Sequence, residues 1–125
     1  MESVVELSIP AQTSHVALIR SATAAICAGA DFTVDDLDDL RLAVDEACAV
    51  VINDAPPGAR IDASWRVRGH AVTIELRCPS SSGAPVATST FAWTVLAALV
   101  DRVDSVVEDG CLCIRLQSHG IESVA

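Results

Sequence analysis

The stretch Asp39-Leu40-Arg41-Leu42-Ala43-Val44-Asp45-Glu46-Ala47-Cys48 decides how the chain is read. Together with its flanks it places Leu37, Leu40, Val44, Ala47 and Val51 at three- and four-residue intervals, the apolar face of an α-helix. Thr33 and Asp36 have capping-box spacing, and the acids of the first turn lie where the helix dipole favours negative charge. A helix is therefore predicted from Thr33 to about Asn53, stopped by Ala55-Pro56-Pro57-Gly58.

Upstream, Val4 to Ile9 alternates, with Val5, Leu7 and Ile9 facing inward, and reads as a half-buried strand closed by Pro10. Thr13 or Ser14 then caps a helix to about Ala28, with Val16, Ile19, Thr23 and Ile26 on one stripe and Gly29 as its stop. Downstream, Ile61 to Arg68 and Val72 to Leu76 alternate as two strands around Gly69-His70. Cys78 to Thr90, rich in Ser, Pro and Ala, reads as a loop. Ser89 or Thr90 caps a third helix with the stripe Trp93, Leu96, Leu99 and Val103. Ser105 to Glu108 and Cys111 to Leu116 form a hairpin on Asp109-Gly110, a type I′ turn signal, and the tail from Gln117 is expected to be loose. Strand, helix, helix, strand, strand, helix, strand, strand predicts an α+β two-layer sandwich: a mainly antiparallel sheet with helices on one face, as one domain over residues 1–125.

Composition narrows the function. The 125 residues are 51% hydrophobic and only 3% aromatic, so the core must be aliphatic. A net charge of -9 with no Lys excludes the phosphate-neutralising surface of a nucleic-acid binder. The acids between Asp31 and Asp45 either attract a basic partner or simply keep the protein soluble. No apolar run spans a bilayer and no secretory signal is visible, and five Cys inside apolar segments suit reduced thiols, so a cytoplasmic location is expected.

The element order, the segment Asp39 to Cys48 and the helix Phe91 to Val103 resemble the bacterial anti-sigma-factor serine kinases, a branch of the histidine-kinase-like ATPases with the Bergerat fold. In that family a Glu on the second helix acts as general base on a target serine, and an Asn four residues on binds the magnesium that bridges the ATP phosphates. The resemblance puts Glu46 at the base position and Val50 at the Asn position, where a hard cation finds no oxygen. Asn53 lies about a helical turn beyond, and Asp45 points off that face. The adenine-reading Asp-x-Gly falls on Cys78 and Ser80, and the glycine-rich turn before the third helix is replaced by Thr90-Phe91-Ala92-Trp93. A degenerate nucleotide site follows, with no cofactor expected, or ATP and magnesium if the kinase activity persists. The family's partner-gripping Arg on the first helix falls on Arg20.

The resemblance implies a module that sequesters a sigma factor or an anti-anti-sigma factor and exchanges partners by mass action, with a possible homodimer and no nucleic acid or membrane. Its alternative is an ATP-dependent serine kinase acting on its antagonist through Glu46; a third reading keeps nucleotide as a structural ligand. Bland readings stand beside these: Arg20 and Glu46 as solvated helix residues, Trp65 and Trp93 as core anchors, and Cys111 and Cys113 as sheet-face thiols rather than a metal site completed by His119.

Overall fold

The computed structural model describes residues 2–120. Its elements run β1 (Glu2–Pro10), a 3₁₀ turn (Thr13–His15), α1 (Val16–Ala28), α2 (Val34–Asn53), β2 (Arg60–Arg68), β3 (Ala71–Pro79), α3 (Phe91–Leu99), β4 (Arg102–Glu108) and β5 (Cys111–His119). The five strands form one antiparallel sheet in the order β1-β2-β3-β5-β4. This is the expected α+β two-layer arrangement.

Strand alternation sorts the sheet into two chemically different faces. Ile61, Ala63, Trp65, Val72, Ile74, Leu76, Cys78, Leu112, Ile114 and Leu116 point inward and are buried. Against them pack Ile19 and Cys27 of α1, Leu40, Val44, Ala47, Cys48 and Val51 of α2, and Leu96 of α3. The helix α2 is the central element, with α1 along one flank and α3 along the other. Its Thr33 hydroxyl accepts the Asp36 amide at 3.0 Å, the predicted cap.

The outer sheet face is polar and carries six of the eight arginines: Arg60, Arg66, Arg68, Arg77, Arg102 and Arg115. Carboxylates on the same face offset them, as in the pairs Arg66–Glu2 and Arg115–Glu75. From α1 to the end of α2 the balance reverses, because seven acids meet only Arg20 and Arg41. Most of the chain's negative charge therefore sits on the helical side.

Buried Thr23 joins the layers. Its hydroxyl donates to Ile19 O at 2.8 Å and accepts the Trp65 indole N–H at 3.0 Å, fixing α1 on β2. The Asp109-Gly110 turn has positive φ at both residues (51° and 75°), as a type I′ hairpin requires.

Several local expectations are corrected. The third helix ends at Leu99; Val100 is extended, and Val103 lies in β4, which begins at Arg102 rather than Ser105. The stripe continued by chance into a strand whose β-branched residues suit sheet. No side chain caps α1; backbone bonds of the 3₁₀ turn lead into it instead. Val5 is 42% exposed because β1 is an edge strand that the helices cover only toward Ile9. Trp93 is half-buried rather than a core anchor. The tail is not loose through residue 120: Gln117–His119 belong to β5, and the Gly120 amide donates to His70 O at 2.7 Å. A Cβ on Gly120 would stand 2.4 Å from Ala30 O, so only glycine fits there. Residues 121–125 lie outside the described part.

Candidate functional site

Two concavities flank α2. On the α1 side, Thr13, Val16, Arg20, Asp45, Ala49, Ile52 and Asn53 line a groove of about 370 Å³. The Arg20 Nε donates to both Asp45 carboxylate oxygens, at 2.9 and 3.1 Å. Both residues are partly exposed, at 39% and 36% of their side chains. Arg20 was expected to stand exposed; it is half-buried and held from its Nε side, with its terminal nitrogens making no hydrogen bond among the described residues. Asp45 indeed points off the Glu46–Val50 face, and its structural partner is Arg20.

On the α3 side, a shallower cleft of about 280 Å³ is lined by Val50, Asn53, Ala84, Pro85, Ala87, Ala92 and their neighbours. Val50 presents methyl groups where the resemblance places a magnesium ligand. Glu46, one turn earlier on the same helix, is partly exposed, has no hydrogen-bond or ion-pair partner among the described residues, and does not line the cleft. Cys78 is buried on the inner sheet face. Burial, and after it the charges of Cys111, Asp62 and Asp54, push its thiol up to about 11, so it is a neutral group at physiological pH. Ser80 is committed to Asp54, to which its hydroxyl donates at 2.5 Å. At the start of α3 the Thr90 side chain accepts the Trp93 amide at 3.2 Å, so that helix terminus is capped from within. Apolar methyls, a buried neutral thiol and a self-capped helix do not match the donors that a magnesium-bridged triphosphate requires. No catalytic step through ATP is derived from these residues.

Sequence reasoning missed Asp54. It is the C-cap residue of α2, and its carboxylate accepts the Ser80 hydroxyl and the Ser82 amide. Those hydrogen bonds, the one from Ser80 foremost, hold the carboxyl below the usual aspartate range. The available signal was an Asp at a helix end followed, some 26 residues later, by the only serine triplet in the chain. His119 and His70, which no sequence spacing ties to an acid, face Asp101 and Asp31. Cys111 and Cys113 share the outer sheet face with Arg77, whose Nη1 donates to Cys113 Sγ at 3.3 Å, and no three-residue His, Cys, Asp or Glu cluster fit for a metal occurs among the described residues.

A five-stranded antiparallel sheet roofed by three helices, with a cleft between the central helix and a loop leading into the third, defines the architecture of the histidine-kinase-like ATPases. Residues 9–118 match the histidine kinase-like ATPase domain family. The anti-sigma-F factor RsbW of Mycobacterium tuberculosis is 37% identical over 101 residues, covering 81% of this chain and 60% of that protein. The serine-protein kinase RsbW of Bacillus cereus is 35% identical over 51 residues, covering 41% of this chain and 32% of that protein. The chain thus belongs to the histidine kinase-like ATPase family, within its anti-sigma regulatory branch. It spans about 60% of the length of the mycobacterial relative. No helix among the described residues is long and apolar enough to cross a membrane.

Proposed function

We propose that this chain is a regulatory protein-binding module that sequesters a sigma factor or an anti-anti-sigma factor, and that it does so without phosphoryl transfer. The observation that carries this reading is the contrast between the two flanks of α2. One flank offers Arg20, anchored by Asp45 above the apolar floor of Val16, Ala49 and Ile52. The other places Val50 at the magnesium position that the resemblance implies, in a cleft walled by Ala, Pro and Val and edged by Asn53, Asp54, Ser82 and Thr90, of which Asp54 and Thr90 are engaged in the chain's own hydrogen bonds. A guanidinium held by one edge loses less side-chain freedom when its remaining donors engage a partner carboxylate. The acidic helical side favours approach of a partner that is basic around that contact. Partner competition for this surface, by mass action, replaces a phosphorylation cycle as the switch. We further propose a cytoplasmic setting with no nucleic-acid contact; self-association through the sheet side is compatible with the same scheme.

The second reading, an anti-sigma serine kinase with Glu46 as base, is favoured by one observation: Glu46 is partly exposed and uncommitted. The name of the Bacillus relatives supports it. Calorimetric titration with ATP, with and without magnesium, separates the two. No heat at sub-millimolar nucleotide, with capture of a purified sigma or anti-anti-sigma factor retained, is the expected result. Magnesium-dependent binding would make the kinase the leading reading.

A further inference from the structure

Residues 80–86 have no regular secondary structure, yet each of their backbone N–H groups has a partner. The Ser80 amide donates to Gly110 O at 2.9 Å and the Ser81 amide to Asp54 O at 2.8 Å. Ser82 donates to Asp54 Oδ1 at 3.0 Å, Gly83 to Ser80 Oγ at 3.0 Å and Ala84 to Ser82 Oγ at 3.2 Å. Pro85 has no N–H, and Val86 donates to Ser105 Oγ of β4 at 2.9 Å. Exposed loops ordinarily leave such donors to water, which is what lets them move. Here the donors converge on one residue. Asp54 takes the Ser80 hydroxyl and the Ser82 amide; the Ser80 oxygen in turn takes the Gly83 amide, and the Ser82 oxygen that of Ala84.

We propose that Asp54 is a positioning residue that latches residues 80–90 as a fixed strap between the end of α2 and β4, so that the lid position of this fold is set by the protein's own hydrogen bonds rather than by nucleotide. The strap contributes Ala84, Pro85, Val86 and Ala87 to the cleft wall and leads through Thr90 into α3. Its far end thereby fixes where Phe91, 81% exposed, is presented. The α3 end of the helical surface is then the same whether or not nucleotide is present. A surface that does not wait for a ligand is what capture controlled by competition alone needs. The latch deepens the proposed function but is tested separately from it, on the free chain.

The test is residue-resolved amide exchange by NMR on the full chain, with and without magnesium-ATP. The amides of Ser82, Gly83, Ala84 and Val86 are expected to exchange well below free-peptide rates, unchanged by magnesium-ATP. Asp54→Ala is expected to speed them roughly ten- to hundredfold, the loss of the charge-assisted bonds, while Ile74 and Leu76 in β3 keep their protection. Asp54→Asn, which retains one acceptor oxygen, is expected to fall between the two, and it serves if the alanine variant does not fold. Rapid exchange in the unaltered chain overturns the latch, as does indifference to both substitutions. Protection that rises with magnesium-ATP overturns its independence of nucleotide. Failure to capture a partner would refute the proposed function and leave these rates untouched.

Discussion

Replacing Thr23 by Val tests how α1 is seated on the sheet. The two side chains are nearly isosteric, so the packing around residue 23 is conserved and the change is confined to one hydroxyl. That hydroxyl is buried and serves both sides: it accepts Trp65 Nε1–H and donates to Ile19 O. Ile19 O retains the ordinary helical bond of its turn, so its loss is small. The Trp65 N–H has no such reserve, because the residue is fully buried and the indole is donor-only. Leaving it unpaired costs about 1–3 kcal/mol. For a domain of this size that corresponds to a fall in Tm of roughly 3–15 °C, at about 3–5 °C per kcal/mol. Urea unfolding followed by far-UV dichroism gives the free energy, and the Trp emission of the native state reports the altered polarity around the indole. A double-mutant cycle with Trp65→Phe isolates the pair, with an expected coupling of about 1–2 kcal/mol. A Thr23→Val loss below about 0.5 kcal/mol, or no coupling, would refute the claim that this bond ties α1 to the sheet.

Arg20→Ala is expected to change stability by less than about 1 kcal/mol, because the Asp45 pair is partly exposed, yet to weaken capture of a purified sigma or anti-anti-sigma factor by about 1–3 kcal/mol. Equal affinity in calorimetry would remove Arg20 from the interface. Glu46→Ala should leave both stability and capture unchanged; a variant that folds but no longer regulates would favour the kinase. Burial holds Cys27 and Cys78 up to about 11 and Cys48 up to about 12, so at neutral pH a thiol-reactive dye should label half-exposed Cys111 first and the buried thiols only in denaturant. Early labelling of Cys48 would contradict the packing of α2. Because the Asp54 carboxyl is held below its ordinary value when folded, its contribution is present above the unfolded pKa and is lost as pH falls through the folded one. The stability gap between the unaltered chain and Asp54→Asn should therefore close in acid; a gap that persists there would show that Asp54 acts other than by its charge.

Much of the fold was legible because its signals are local and redundant. The period of Leu37, Leu40, Val44, Ala47 and Val51, the Thr33 cap and the double proline after Asp54 all agree on α2, and alternation fixed which face of β2 and β3 turned inward. Misreadings fell where a local pattern fits two structures. Val103 continues a helical stripe and is equally at home in a strand, and only the extended turn at Val100 separates them. Val5 alternates correctly but lies beyond the cover that the helices provide, which no period reveals. The candidate site divides in the same way. The loss of a magnesium ligand at Val50 is a statement about residue type and could be read directly. The pairing of Arg20 with Asp45 joins residues 25 apart, and the strap joins Asp54 to residues 26 and 28 further on. Such contacts arise from the packing of α1 and β3 against α2. Their members look like ordinary surface residues until the sheet brings them together.

The location of these contacts bears on how the positions that the resemblance assigns to nucleotide can change residue type without disturbing the fold. None of the replaced positions supports the core alone: Cys78 substitutes a small buried apolar group, Val50 packs against the existing cluster, and Ser80 finds a partner in Asp54. In an active relative of this architecture, phosphate and magnesium would be among the groups that order the loop ahead of α3. Here Asp54 supplies the acceptor charge at the end of α2, the serines supply the donors, and Thr90 satisfies the first turn of α3. Each bond is modest at an exposed site, but they are intramolecular and close short loops whose ends the sheet already holds near each other. The order that a ligand would otherwise bring is thus built into the chain. Under the proposed function, regulation acts at the opposite flank, where the terminal nitrogens of Arg20 make no hydrogen bond among the described residues.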